Sequence, residues 1–212
     1  MAPKTAAQLP LYEVGVEDLF IAMMVGGKDN GDIPTYEEIY RESIIETIGI
    51  QGNQTSATKW ASNKLFVNVT KNTLYTLTID GPALPIEIQD KIQGVLAEKG
   101  IVFDTSNTKE YPVFAVGFIA PLSDGVNKLA RWYPKVTYAP GAESYTTGTD
   151  ETTIPTKQWT LTAAPLNVNN VTKVDFNSAR DSAKGITAEQ FMKNVICDES
   201  QVATLTTTEI GE

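Results

Sequence analysis

The sequence contains no histidine and only one cysteine, Cys197, among its 212 residues. Without histidine the chain lacks the commonest general base and neutral metal ligand, and Ser-His and Cys-His mechanisms are excluded. One cysteine forms neither an internal disulfide nor a zinc cluster. Because Cys197 follows Val195 and Ile196 at a predicted helix end, we expect a small, partly buried apolar side chain rather than a reactive thiol. We predict no cofactor, no metal site and no enzymatic activity.

Long apolar runs and an excess of basic residues are also missing. No run approaches the roughly 20 residues that span a bilayer, so we expect no membrane span. The first ten residues lack the apolar segment of a secretory signal, and we expect the chain to stay in the cytoplasm where it is made. The net charge of −9 is the wrong sign for holding nucleic acid through its phosphates.

The acidic residues include one local group that could serve a paired-carboxylate hydrolase. Its members are Glu37, Glu38, Glu42 and Glu46. Helical spacing would bring Glu38 and Glu42 together, whereas strand spacing would align Glu42 with Glu46. We interpret the group as a solvated face and keep the hydrolase as a minor alternative.

Two segments have the pattern of amphipathic helices. Residues 85–99 begin at Pro85 and precede Gly100, which suits the left-handed position after a helix. Residues 187–196 open with Thr187 and Gln190 in the capping-box arrangement. The apolar positions at helical spacing are Ile88, Ile92, Val95 and Leu96 in the first segment, and Phe191, Met192, Val195 and Ile196 in the second.

Most of the remaining chain alternates apolar and polar residues with the period of two that is typical of strands. The predicted apolar faces are Leu65, Val67 and Val69; Tyr75, Leu77 and Ile79; Trp132, Val136 and Tyr138; and Trp159, Leu161 and Ala163. Residues 113–119 are apolar on both faces, as in a central strand. Pro134 has no N–H to donate, so its strand is predicted to be an edge or bulged there.

These patterns predict a mainly β fold, a sandwich or barrel with one or two peripheral helices. We divide the chain into a flexible N-terminal arm (1–14), one β domain (15–197) and a polar C-terminal tail (198–212). Residues 140–157 are rich in glycine, threonine and acidic residues, and we predict a long projecting hairpin loop there.

Several segments occur in an order that points to one family. They are VGVEDLFIAMM, residues 56–63, TLYTLTIDGPALPIEIQDKIQGVLAEKG, the pair YPVFAVGFIAP and ARWYPKVTY, and VDFNSARDSAKGITAEQFMKNV. In order and spacing they resemble the major tail protein, or tail-tube protein, of long, non-contractile-tailed bacteriophages. The resemblance covers roughly residues 15–195.

The resemblance implies a structural virion protein with the β-sandwich tail-tube fold. Such subunits self-assemble into homohexameric rings that stack into a tail tube, a conduit for DNA ejection. The implied partners are other copies of the chain, the tape-measure protein and tail-end proteins, and DNA passes without specific binding. The implied location is the virion tail, with assembly in the host cytoplasm.

On this interpretation, strands within residues 43–80 line or border the lumen and the helix 85–99 lies outside. Candidate lumen or inter-subunit strand residues are Glu46, Trp60, Lys64, Asn68, Thr76 and Thr78. Candidate ring-to-ring contacts are Glu143, Tyr145, Asp150 and Glu151. Negative charge along the lumen would let DNA slide.

A cell-surface or carbohydrate-binding β-sandwich module is the main alternative. It would require a surface aromatic platform, for which Trp60, Trp132 and Trp159 are the only indole candidates. Trp132 and Trp159 fall on predicted apolar strand faces, which favours the core. The missing export signal also counts against this alternative.

Overall fold

A computed structural model describes residues 10–61, 64–103, 110–140, 156–183 and 185–205. The strands are β1 (Asp18–Met23), β2 (Tyr40–Glu42), β3 (Thr47–Ala61), β4 (Lys64–Gly81), β5 (Phe114–Pro121), β6 (Lys128–Ala139), β7 (Lys157–Ala163) and β8 (Val174–Asn177). The helices are α1 (Ile86–Gln93) and α2 (Ala188–Phe191), with 3₁₀ turns at Asp181–Ala183 and Glu199–Thr204. The predicted mainly β fold is confirmed.

The strands form one antiparallel sheet in the order β2-β1-β5-β6-β7-β4-β3. β8 pairs with the first part of β6, on the edge that β7 occupies further along. β5 lies between β1 and β6 and is buried from Phe114 to Ala120. The prediction of a central strand apolar on both faces is therefore confirmed.

The sheet curls on itself. β2 and β3 lie at its two ends, yet only residues 43–46 separate them in the chain. So short a connection spans less than about 20 Å, so the two ends must be neighbours. The result is a barrel-like body with a distinct inside and outside.

Each side of this curled sheet has its own hydrophobic cluster. The inner core contains Leu19, Ile21, Leu77, Ile79, Phe114, Val116, Tyr133, Val136, Trp159 and Leu161, with Leu84 and Ile92 from around α1. The outer core contains Phe20, Ala22, Ala115, Ile119, Ala130 and Trp132, covered by Ala188, Phe191, Met192, Val195 and Ile196. α1 therefore helps to close the inner core, and the α2 region covers the outer face.

β6 is bulged beside Pro134. Val116 pairs with Tyr133 and Phe114 with Val136, which leaves one extra residue on β6. The extra residue reverses the alternation. Trp132 therefore packs in the outer core and Val136 in the inner core. The predicted bulge is confirmed, but the prediction that Trp132 and Val136 share a face was wrong.

α1 is shorter than the predicted helix 85–99. It starts after Pro85 as expected and ends at Gly94, whose φ is +60°. A Cβ on Gly94 would lie 2.6 Å from Pro112, so close packing also requires glycine there. Because the helix ends before Leu96, this side chain is 95% exposed rather than on the predicted apolar face.

α2 begins as the sequence predicts but also ends early. The Thr187 hydroxyl oxygen accepts a hydrogen bond from the Gln190 backbone N–H, and the Thr187 backbone N–H donates to Oε1 of the Gln190 side chain. The helix ends at Phe191, whereas the prediction extended to residue 196. Met192, Val195 and Ile196 are nevertheless buried, so the predicted apolar surface is formed without a continuous helix.

The two ends of the described chain also contact ordered structure. Val14 N–H donates to the Pro121 carbonyl at 2.9 Å, and Ser123 N–H donates to the Tyr12 carbonyl at 2.9 Å. Asp198 caps the 3₁₀ turn Glu199–Thr204 through Ser200 N–H. In the part of the chain described, no helix is long and apolar enough to cross a membrane.

Candidate functional site

The most distinctive feature is a two-stranded ribbon formed by residues 53–61 of β3 and 64–74 of β4. β7 pairs with β4 only from Tyr75 to Gly81, so within the described residues the two ribbon strands pair only with each other. At about 3.4 Å per residue, nine paired residues reach about 30 Å from the body. The ribbon therefore leaves the sheet as a long arm.

Every residue from 51 to 59 is exposed to solvent. A two-stranded hairpin without a packed face is only marginally stable in water. Both ribbon strands also have an outer edge without a strand partner in the described structure. Such edges carry rows of backbone donors and acceptors that can pair with another chain. The ribbon is thus suited to strand addition.

Two irregularities bend the ribbon. Asn53 pairs with Leu74 but Gln54 pairs with Asn72, so Thr73 is an extra residue on β4. The Thr73 hydroxyl donates to the Asn53 carbonyl at 3.1 Å, which provides a hydrogen bond where the register shifts. A second shift lies between Lys59 and Trp60. Bulges increase the local twist, so the ribbon is not a flat extension of the sheet.

Beside the ribbon, the outward surface of β3, β4 and β7 is polar, and we call it the threonine face. In register it comprises Thr47, Gly49 and Gln51; Thr76, Thr78 and Asp80; and Gln158, Thr160 and Thr162. The opposite surface holds the buried side chains of Leu77, Ile79, Trp159 and Leu161. Asp80 accepts hydrogen bonds from Thr47 Oγ1 at 2.6 Å and Gln158 Nε2 at 2.8 Å, so its carboxylate is held at the surface.

The predicted lumen or inter-subunit residues are not all in one place. Thr76 and Thr78 belong to the threonine face. Glu46 precedes β3 and accepts a hydrogen bond from Thr156 Oγ1 at 2.9 Å. Trp60, Lys64 and Asn68 belong to the ribbon by their backbone pairing, and their side chains lie outside what the structure describes.

The ring-to-ring candidates Glu143, Tyr145, Asp150 and Glu151 lie outside the described residues. Sequence reasoning did not select Thr160 and Thr162, although they pair directly with Thr78 and Thr76. Both strands showed the same threonine alternation. Their adjacency depends on a pairing between strands far apart in sequence, which alternation alone does not predict.

The members of the acidic group lie in different surroundings. Glu37 and Glu38 line a cavity of about 760 Å³ together with Lys193, and Glu42 is not among its lining residues. Glu42 instead accepts a hydrogen bond from the Tyr40 hydroxyl at 2.6 Å. Burial and this carboxylate raise the pKa of Tyr40 to about 12. Glu38 and Glu42 therefore have different neighbours.

The other side chains considered for binding or chemistry, Trp132, Trp159 and Cys197, are buried. Trp132 and Trp159 are 0% and 5% exposed, so neither provides a surface platform for a sugar. Cys197 is buried, and burial raises the pKa of its thiol to about 11. Among the described residues, no three Cys, Asp or Glu side chains are grouped as metal ligands.

Comparison of the sequence with models of known protein families gives no match, and comparison with curated proteins also gives none.

Proposed function

We propose that this protein is the structural subunit of a phage tail tube, assembling as stacked hexameric rings that conduct DNA during ejection. The observation that carries the proposal is the two-stranded ribbon, whose residues 53–59 are exposed and whose outer strand edges have no strand partner within the described residues. The order of sequence segments described above supports the same class. On this proposal the protein resides in the virion tail, contacts the tape-measure and tail-end proteins, and has no enzymatic role.

The ribbon offers a route to a closed ring. Its β3 edge and its β4 edge are different surfaces on opposite sides of one arm. If the β3 edge of one copy pairs with the β4 edge of the next, each contact is head-to-tail, and such contacts close into a ring at a suitable rotation. Ribbons from all copies would then join into one closed ring of paired strands. Pairing would also satisfy the backbone groups that each ribbon leaves open to water.

The distribution of charge refines this assignment. Residues 53–74 contain Lys59, Lys64 and Lys71 but no aspartate or glutamate. The acidic excess of the chain therefore lies outside the ribbon. The threonine face carries hydroxyls and amides, with Asp80 as its only charged member. A surface without cations makes no phosphate ion pairs, so we assign the lumen to this face and subunit pairing to the ribbon.

Electron microscopy of the purified protein at high concentration tests the proposal. The wild-type chain is expected to form rings or tubes in negative stain. In a shortened variant, residues 54–73 are deleted and Asn53 is joined to Leu74 through Asn-Gly, which closes a two-residue hairpin on an existing pair. This variant should fold, because residues 54–59 are exposed and the deleted strands pair only with each other within the described residues, but it should form no tubes.

The matched control replaces only Ser62 and Asn63, which connect β3 to β4, with Asn-Gly. This change keeps the full length of both ribbon strands, so assembly should persist. Circular dichroism and a melting curve establish that both variants retain the wild-type body. Tubes of normal diameter from the shortened variant would refute the role of the ribbon, and a wild-type chain that stays monomeric at high concentration would refute the proposed function.

A further inference from the structure

A small apolar hairpin follows α1. Glu98 and Ile101 exchange both backbone hydrogen bonds, at 3.1 and 3.0 Å. Between them Lys99 and Gly100 have φ values of +54° and +79°, the positive pair found in type I′ hairpin turns. The chain therefore makes a defined turn here instead of continuing the helix.

The hairpin segment, residues 95–103, exposes several large apolar side chains. Leu96 is 95% exposed and Phe103 is 84% exposed, and Ile101 and Val102 are 56% and 43% exposed. Single exposed apolar side chains are ordinary, but a run of them in one short segment marks an interaction surface. An aromatic ring such as Phe103 is an effective anchor when a partner buries it.

An apolar groove lies elsewhere on the same subunit. Its volume is about 360 Å³, and its apolar lining comes mainly from β3, β5 and β6. The apolar lining residues are Val16, Ile48, Ile50, Phe118, Ala120 and Leu129. Glu13, Glu46 and Arg131 supply its charges, and the hairpin carries Glu98 and Lys99 at its turn, so both surfaces combine an apolar centre with charges of both signs.

The hairpin and the groove lie toward opposite ends of β5. Gly94, where the hairpin segment begins, lies against Pro112, two residues before β5. The groove is lined by Phe118 and Ala120, toward the other end of that strand. At about 3.4 Å per residue the separation along β5 is about 20 Å. Complementary surfaces at opposite ends of one subunit are the arrangement that a head-to-tail contact requires.

We propose that the hairpin segment 95–103 of one copy inserts into the groove of the next copy, with Phe103 as the anchor. The inference rests on the proposed tube, because a tube of stacked rings needs a second contact in addition to ribbon pairing. The hairpin segment and the groove would form this second contact, between one copy and the next. The occupant of the groove is therefore another copy of this chain.

Cross-linking between variants that each carry one added cysteine tests this contact directly. A Val102→Cys chain, which keeps Phe103, is mixed at high concentration with an Ile50→Cys chain, one of them lengthened by a tag so that heterodimers separate from homodimers on a non-reducing gel. Cys197 stays in place because its thiol is buried. The matched control pairs Ile50→Cys with Val202→Cys, whose position is also exposed. After mild oxidation we expect at least tenfold more heterodimer from the first mixture.

The two readouts separate this inference from the proposed function. Cross-linking decides the hairpin contact, and electron microscopy of the wild-type chain decides the tube. Tubes together with a heterodimer yield no greater than the control would overturn the contact and leave the tube standing. A strong 102–50 cross-link without tubes would support the contact and count against the tube. If neither is seen, both are refuted.

Discussion

Gly117 of β5 lies directly opposite Trp132 of β6, and a Cβ on Gly117 would lie only 2.6 Å from Cε3 of the indole. The same Cβ would lie 2.5 Å from the terminal methyl group of Met192. A position without a side chain therefore lets the indole and the segment after α2 pack against the sheet. The close packing of the outer core therefore depends on the missing side chain at position 117.

Gly117→Ala is expected to destabilise the protein by about 1–3 kcal/mol, because overpacking moves buried side chains out of their preferred positions. Urea unfolding should show a lower midpoint with an unchanged slope. Gly49→Ala is the matched control, because a Cβ there would meet Thr78 at an ordinary 3.6 Å. Equal midpoints for the two variants would contradict the packing described for Gly117.

The ion pairs of Asp175 predict a loss of stability at acidic pH. Burial alone would raise the pKa of Asp175, but its hydrogen bonds and ion pairs with Arg131 and Lys173 lower that pKa below the usual value. A carboxyl group with a lowered folded pKa stabilises the protein above its unfolded pKa and loses that effect as pH falls through the folded value. The affected range therefore lies below about pH 4.

Asp175→Asn should lower the free energy of unfolding by about 1–3 kcal/mol at pH 7. The difference from the wild type should shrink as pH falls below about 4, because the wild-type carboxylate then gains a proton. Urea titrations between pH 3 and pH 7 measure both effects, with the exposed Asp32→Asn as control. A difference that stays constant over this range would refute the ionic role of Asp175.

Cys197 should be unreactive in the native protein. With burial and a pKa of about 11, only about one thiol in a thousand is ionised at pH 8, and it is shielded from solvent. A chromogenic disulfide reagent should label no thiol of the wild-type chain within minutes and one thiol after denaturation. The Val202→Cys variant should gain one rapidly labelled thiol in the native state. Rapid native labelling of the wild type would show that the residue is accessible.

Local sequence signals predicted the features that depend on neighbouring residues. The apolar run of β5, the capping box of Thr187 and the irregularity at Pro134 all appear in the structure. Each depends on a local property: continuous burial, a side-chain cap or a missing N–H. The burial of Trp132, Trp159 and Cys197 was also predicted correctly.

The predictions for α1 and β6 were wrong where a single residue interrupts the regular spacing of apolar side chains. The helical spacing continues through Val95 and Leu96, but Gly94 adopts a left-handed conformation against Pro112 and ends α1. In the β6 sequence, apolar and polar residues alternate through Trp132 and Val136, but the bulge places these two side chains in different cores. Alternation also predicted strand at Leu65, Val67 and Val69 of the ribbon, but not that β3 and β4 would extend beyond β7, because that outcome depends on long-range pairing.

The ribbon also has a consequence for the order in which the subunit forms. β3 and β4 are joined by two residues, and hairpins of this kind close within microseconds. β1 pairs with β5, and β6 pairs with β8, and in each pair the second strand is synthesised much later than the first. The body therefore cannot be complete until most of the chain has left the ribosome. The ribbon is thus available for pairing before its own body has formed. If copies of the chain assemble as proposed, neighbouring nascent chains would meet first through this arm.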